Sequence, residues 1–316
     1  MSKSSDGVLL VDKEEGASSH GAVRLVKRVL GGRRAAKVGH AGTLDPFATG
    51  LLVVMVGEAT KLSRYLSGEN KSYRAVMKLG EATDTMDRTG RTVKVVDGPL
   101  PDAAEISAVS KKFTGEIEQV PPMYSAVKYE GVRAYTLARK GVEVKLRKRR
   151  VHVFRLDLLQ YDPPFATLEI QCSSGTYIRS LAADLGEALG SAAHLAELRR
   201  LSVGAFNLVD AVASSRLREK DFSRDDILDR LTAPGDALHE MNSVNVSSDM
   251  AGRIRGGYRP SRDEMRAWAV SSTAGGGLVK VMTGRELVAV GRLGDPGEPG
   301  PAGFKVERVF FPCVRG

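Results

Sequence analysis

The longest obvious apolar run in the chain is Leu51 to Val56, LLVVMV. Six residues are far short of the ~20 that a membrane-spanning helix needs. Following a glycine-containing loop, Gly31 to Gly50, the run reads as a strand. Gly7 to Asp12, GVLLVD, reads as a second short buried strand. Ser72 to Gly80 alternates instead, with Tyr73, Ala75, Met77 and Leu79 on one face, which predicts a half-buried strand. Val142 to Leu146, Val151 to Leu159 and Ala166 to Cys172 also read as strands. Helical patterns fall between them. Ser18 is placed to cap a helix through Leu30, with Val23, Val26, Val29 and Leu30 on one face. Glu58 to Leu66 reads as helical, as does Pro101 to Phe113 with Ile106, Val109 and Phe113 inward. A short helix is expected within Gly131 to Gly141 and a longer one over Thr176 to Leu189. Asp84 to Gly90 reads as polar loop, and Pro121-Pro122 favours an extended backbone. Strands with interspersed helices and hairpin-like links predict an α+β fold with a mixed sheet, not a strict βαβ array.

The chain has 316 residues, enough for two domains of about 150 residues and a sizeable core. Its character changes after Met241. Short strands are expected at Ala267 to Val270, Leu278 to Met282, Glu286 to Arg292 and Phe304 to Phe311. Gly-rich turns, Gly275 to Gly277 and Gly294 to Gly303, separate them. That pattern predicts a small β-rich C-terminal domain. The charged stretch Glu219 to Leu231 is expected to lead into it as a helix. Two cysteines, Cys172 and Cys313, make neither a disulfide framework nor a Cys-based zinc site. The start, MSKSSDG, has no apolar core of a secretory signal, so a soluble cytoplasmic protein is expected.

The formal net charge is +9, and it is clustered. Lys128 to Arg155 holds ten Lys/Arg against only Glu130 and Glu143, a local +8. A second block, Arg24 to Lys37, holds six bases and no acid. Clustering favours a polyanion footprint over general solubility, and binding to phosphates would then be salt-sensitive.

The densest polar segment is Lys37 to Gly50, KVGHAGTLDPFATG. Gly39, Gly42 and Gly50 would let a backbone pass close to a ligand. The segment lacks the Gly-Lys-Ser/Thr of a phosphate loop. Asp45 before Pro46 has two readings that residues alone leave open. One is a turn start; the other is a carboxylate, ionised at neutral pH, that serves as nucleophile or base. Tyr73, between Lys71 and Arg74, is either a core aromatic or a stacking platform for a base. Arg179 and Tyr177 stand at the start of the helix after Gly175. The macrodipole disfavours an arginine there, and a paired anion such as Asp45 would offset that. Leu198 reads as a core leucine. His40 with Asp45 suggests a metal only weakly, because no second His or Cys is near in sequence.

Together these segments resemble one family. GHAGTLDPFATGLL (Gly39 to Leu52) is similar to the catalytic-aspartate motif of the TruB family of pseudouridine synthases. In the family's order stand GVLLVDKEEG, KSYRAVMKLGEATDTMDRTG, QVPPMYSAVKYEGVRAY, CSSGTYIRSLAADLG and HLAELRRLSVGAF. The resemblance implies a largely antiparallel central sheet with flanking helices over 1–242, with a basic RNA-gripping insertion at about 124–152. It further implies a PUA-like RNA-binding domain over 243–316. The implied reaction is isomerisation of uridine to pseudouridine at position 55 in the T-loop of tRNA, without cofactor or metal. The tRNA T-stem-loop is the implied partner, with no membrane, no obligate protein partner and a monomer expected. By position, Asp45 matches the catalytic aspartate and Arg179 the arginine that pairs with it. Tyr73 matches the tyrosine that stacks on the target base and helps remove the C5 proton. Tyr177 and Leu198 match residues lining the uracil pocket, and His40 the histidine that meets RNA where the base leaves its stack. Leu51 stands where the family often has Val or Met, and the run LRKRR (Leu146 to Arg150) is more basic than the family pattern. From other classes, a non-catalytic RNA-binding or RNA-folding protein would use the same basic surface. A metal-dependent RNA hydrolase would need His40 and Asp45.

Overall fold

The structure, a computed structural model, describes residues 5–125, 127–138, 140–142, 144, 146–261, 264, 277–293 and 304–312. Its centre is a ten-stranded mixed, largely antiparallel sheet. Across it the strands run Val212–Ala213, Gly7–Lys13, Thr49–Val56, Ala193–Val203, Lys71–Leu79, Phe165–Cys172, Arg149–Asp162 and Gly115–Gln119. Val38–Ala41 and Phe206–Asn207 pair at its flanks. Two contacts within it are parallel, and one of these matters for function. Thr49–Val56 meets Ala193–Val203 only through Arg199 opposite Thr49 and Arg200 opposite Gly50.

The apolar run is explained by burial on both faces. Leu51, Val53 and Met55 pack with Leu62 and Leu66, while Leu52, Val54 and Val56 pack with Ala22, Val23 and Val26 of the helix Ser19–Val29. Ser18 caps that helix, its side chain accepting from Gly21 N. The strand Lys71–Leu79 buries the alternate residues expected of it. Tyr73, Ala75, Met77 and Leu79 pack with Ile106 of the helix Ala103–Lys112 and with Ile178 and Leu181 of the helix Ile178–Ala188.

Several boundaries differ from the sequence reading. The loop Gly31 to Gly50 contains the strand Val38–Ala41, which gains its order from pairing with Val53 to Val56. The strand Ala193–Val203 is the larger miss. Register shifts between Leu195 and Glu197 and between Arg200 and Ser202 break its alternation. The region Glu58 to Leu66 starts as a 3-10 turn, Gly57–Leu62, before the helix Ser63–Gly68. Among the described residues, Val142 to Leu146 forms no strand, and the basic run leads into the strand Arg149–Asp162. A short hairpin, Lys128–Tyr129 with Val132–Arg133, precedes the helix Ala134–Ala138.

A smaller four-stranded C-terminal sheet is ordered Asn242–Asn245, Leu278–Thr283, Glu286–Leu293 and Phe304–Val309, beside the helix Ser248–Arg255. The expected strand Ala267 to Val270, the turn at Gly275 to Gly277 apart from Gly277 itself, the turn Gly294 to Gly303, and Cys313 lie outside the described residues. Among the described residues no helix is long and apolar enough to cross a membrane.

Candidate active site

A cleft of about 270 Å³ opens beside the short parallel seam. Asp45, Tyr73, Tyr177, Arg179 and Leu198 lie on its walls. These five residues come from segments separate in the sequence, and the fold brings them together. His40 stands on the strand Val38–Ala41 opposite Val54 and is not among the residues lining the cleft. Its Nδ1 is buried without a partner among the described residues. Burial, then Arg200 and His20, lower its pKa, which favours the uncharged imidazole.

Asp45 sits on the loop between Val38–Ala41 and Thr49–Val56, and several bonds fix that loop. Ala48 N donates to Asp45 O (3.1 Å), closing the turn expected at Asp-Pro. Ser19 Oγ donates to Leu44 O (3.0 Å) and accepts from Leu44 N (2.9 Å). The buried Lys13 donates to Pro46 O (3.2 Å) and Ala17 O (2.7 Å). Gly50 ends the loop at φ +99°, and a Cβ there would fall 2.3 Å from Arg200 O. Only glycine allows that approach. Gly42 also has positive φ, +79°, whereas Gly39 lies within the strand Val38–Ala41.

Arg179 reaches Asp45 from the first turn of the helix Ile178–Ala188. Its Nη2 donates to Asp45 Oδ1 (3.2 Å). Its Nε lies 2.9 Å from Oδ2, an ion-pair contact whose N–H is not aligned for a hydrogen bond. The Arg179 side chain is 3% exposed, while that of Asp45 is 34% exposed. The guanidinium thus backs a carboxylate that faces the cleft. Nη1 donates to Thr85 O (3.0 Å) and Nη2 to Tyr124 O (2.8 Å), and Asp87 Oδ2 lies 3.5 Å from Nη1. A cation this deeply buried needs that full set of acceptors.

Those partners come from two segments read only as loop or extended chain. In DTMDRTG, Asp87 Oδ1 accepts from Thr85 Oγ1 and Thr89 N, both at 2.9 Å, and holds its own turn. Arg88 N donates to Leu195 O (2.8 Å), pinning that turn to the sheet. In QVPPMYS, Gln119 exchanges two hydrogen bonds with the Tyr177 backbone (2.8 and 3.0 Å). The extended prolyl stretch leaves Val120 O to accept from Ser180 Oγ (2.8 Å). Asp87 and Gln119 were not singled out from sequence. The only signal was a crowded polar composition, which turns share.

Burial raises the Asp45 pKa. Arg179 opposes that, Asp87 adds to it, and Lys13 opposes it more weakly. Tyr73 is 6% exposed, packed in the core and also on the cleft wall. Burial raises its pKa as well. Ser125, also on the cleft wall, has a buried hydroxyl without a partner among the described residues. Among those residues no three His, Cys, Asp or Glu side chains gather as a metal site would need.

The chain matches known proteins over most of its length. Residues 27–178 match the family model of the TruB family pseudouridylate synthase N-terminal domain, and residues 179–239 that of the tRNA pseudouridylate synthase B C-terminal domain. A tRNA pseudouridine synthase B of Syntrophus aciditrophicus is 42% identical over 315 residues, covering 96% of this chain and 98% of the relative. One from Geobacter sulfurreducens is also 42% identical, over 90% of this chain and 92% of the relative. Among solved structures, a Cbf5-Nop10-Gar1 complex is similar at a TM-score of 0.73 and 27% identity, over 97% of this chain and 85% of the matched one.

Proposed function

Since the chain belongs to the TruB family and is a tRNA pseudouridine synthase, we propose that its target is uridine 55 in the T-loop, with Asp45 as the catalytic carboxylate. The reaction breaks the bond from C1′ to N1, turns the uracil and joins C5 to C1′. A uridine within a folded loop must leave its stack first, at a cost of a few kcal/mol. Stacking on Tyr73 offsets this by about 1–3 kcal/mol. Tyr177 and Leu198 bound the uracil, and Tyr73 also helps to remove the C5 proton. His40 meets the RNA beside the cleft. The isomerisation is redox-neutral and uses no cofactor. The basic stretch within about 124–152 grips the RNA, and the C-terminal sheet acts as a PUA-like RNA-binding unit. The enzyme works as a monomer in the cytoplasm.

One observation carries this reading: a cleft-facing Asp45 carboxylate held from behind by the buried Arg179. Pure RNA binding has no use for a carboxylate beside phosphates. The test is release of tritium from C5-labelled uridine in tRNA. Asp45→Asn is expected to abolish release while tRNA binding persists. Unchanged release in that variant, or a wild-type protein that binds tRNA and releases none, sinks the reading.

A further inference from the structure

Two buried cations on the cleft wall have no part in the reading above. Lys71 is 7% exposed and Arg200 is 1% exposed, and both line the cleft. Lys71 Nζ donates to Ser67 O (3.1 Å) and Glu69 O (2.6 Å), which leaves one of its three N–H groups unused. Arg200 donates through Nε to Leu51 O (2.7 Å) and through Nη2 to Gly42 O (2.9 Å). Among the described residues neither has a carboxylate within ion-pair distance. Arg179, by contrast, is occupied by Asp45 and Asp87. Burying a cation on carbonyls alone is costly, and a negative charge arriving in the cleft would offset that cost.

Their placement says where such a charge would sit. Lys71 is two residues from Tyr73 on one strand, so both side chains point to the same face. Arg200 is directly opposite Tyr73 on the neighbouring strand, which puts it on that face too. The aromatic platform is therefore flanked by a cation on each side. Gly42, at φ +79°, brings its loop against both: a Cβ there would lie 3.4 Å from Arg200 Nη1 and 3.5 Å from Lys71 Cε.

We propose that Lys71 and Arg200 form an anion pocket that takes up the negative charge left on the uracil ring as its bond to C1′ breaks. The inference rests on the uridine isomerisation proposed above. It holds for either way of balancing that step. If the Asp45 carboxylate attacks C1′, a C1′–O bond forms as the C1′–N1 bond breaks. If Asp45 instead takes the proton from C2′, a C1′–C2′ double bond forms. In both cases the electron pair of the C1′–N1 bond stays on the uracil and spreads over N1, O2 and O4. An ionised Asp45 nearby would oppose that charge, and the flanking cations compensate. When C5 joins C1′, the ring gives the pair back as the C1′–O bond to Asp45 breaks or, in the second route, as Asp45 returns its proton to C2′. The C5 proton then leaves to solvent and N1 takes up another. Burial, then the neighbouring Arg200, pull Lys71 down to about 8, which leaves it protonated at neutral pH.

The test is single-turnover tritium release from saturating C5-labelled tRNA, with the tRNA dissociation constant measured beside it. Lys71→Gln keeps a donor for the Ser67 and Glu69 carbonyls, and Lys71→Met keeps only the volume. Both are expected to lower the rate about 10²–10³-fold, as losing one oxyanion donor does, with the dissociation constant unchanged. A rate equal to wild type overturns the proposal. So does a loss confined to the dissociation constant, which would make Lys71 a clamp for a backbone phosphate. A second readout separates charge stabilisation from a merely structural defect. With 5-fluorouridine at the target, fluorine stabilises the uracil anion without help. Cleavage of the C1′–N1 bond is then expected to suffer less from Lys71→Gln than with uridine, and an equal deficit for both bases overturns the proposal. Wild-type protein that releases no tritium would instead sink the underlying isomerisation reading.

Discussion

Asp45 works between opposed influences: burial and Asp87 raise its pKa, while Arg179 and Lys13 lower it. As the proposed base or nucleophile it must be ionised, so activity is expected to fade as pH falls through its raised pKa. Removing the guanidinium disfavours the ionised form further. Arg179→Met is therefore expected to move the acid limb of the pH–rate profile upward. Its deficit should be larger at pH 6 than at pH 8. Arg179→Lys, which keeps the charge, should leave the limb nearer that of wild type. Equal deficits at both pH values would mean that Arg179 only positions the loop. The sequence made the pair legible as a puzzle, because an arginine in the first turn of a helix calls for an anion. It did not reveal Asp87, since an aspartate that holds its own turn has the same local signature whether or not it faces an arginine.

At the scale of elements, caps and burial patterns were legible and broken alternation was not. Ser18 caps its helix as expected, and Asp102 with Glu105 forms a capping box on Ala103–Lys112. The strand Ala193–Val203 escaped because its register shifts defeat a period of two, and those shifts exist only against Lys71–Leu79. The basic run behaves differently from a free patch. Where the run enters the strand Arg149–Asp162, Lys148 lies 3.6 Å from Glu118 and Arg150 lies 3.6 Å from Glu116. Exposed pairs of this kind add little stability, but they partly neutralise the surface offered to phosphates. Replacing Glu116 and Glu118 together by Gln is expected to tighten tRNA binding roughly two- to fivefold at low salt, with the gain fading as salt rises. Unchanged binding, measured by salt titration, would place the RNA path elsewhere.

Across the whole molecule, the two sheets share one core. Met282, Leu287, Val290 and Phe310 pack with Val8, Leu51, Leu62 and Leu66 of the central unit. Lys61 Nζ donates to Val309 O (2.9 Å), and Phe311 N donates to Glu58 Oε2 (2.9 Å). Phe310, 2% exposed, sits in this shared core. Phe310→Ala is expected to cost about 3–5 kcal/mol in denaturant unfolding. A loss under about 1 kcal/mol would show that the seam carries little of the stability. Only the family resemblance marked Tyr177 and Leu198 as site residues; residue type and place already distinguished Asp45, Tyr73 and Arg179, and burial that repeats with a fixed period set out the strands and helices. Those signals are local, because side-chain direction follows backbone period. That these residues share one cleft, that Asp87 and Gln119 hold its walls, and that Lys71 and Arg200 flank Tyr73 follows from how the chain packs in three dimensions. Each of those facts depends on strand order and on a two-residue parallel seam, which are contacts between segments far apart in the chain that no local pattern encodes.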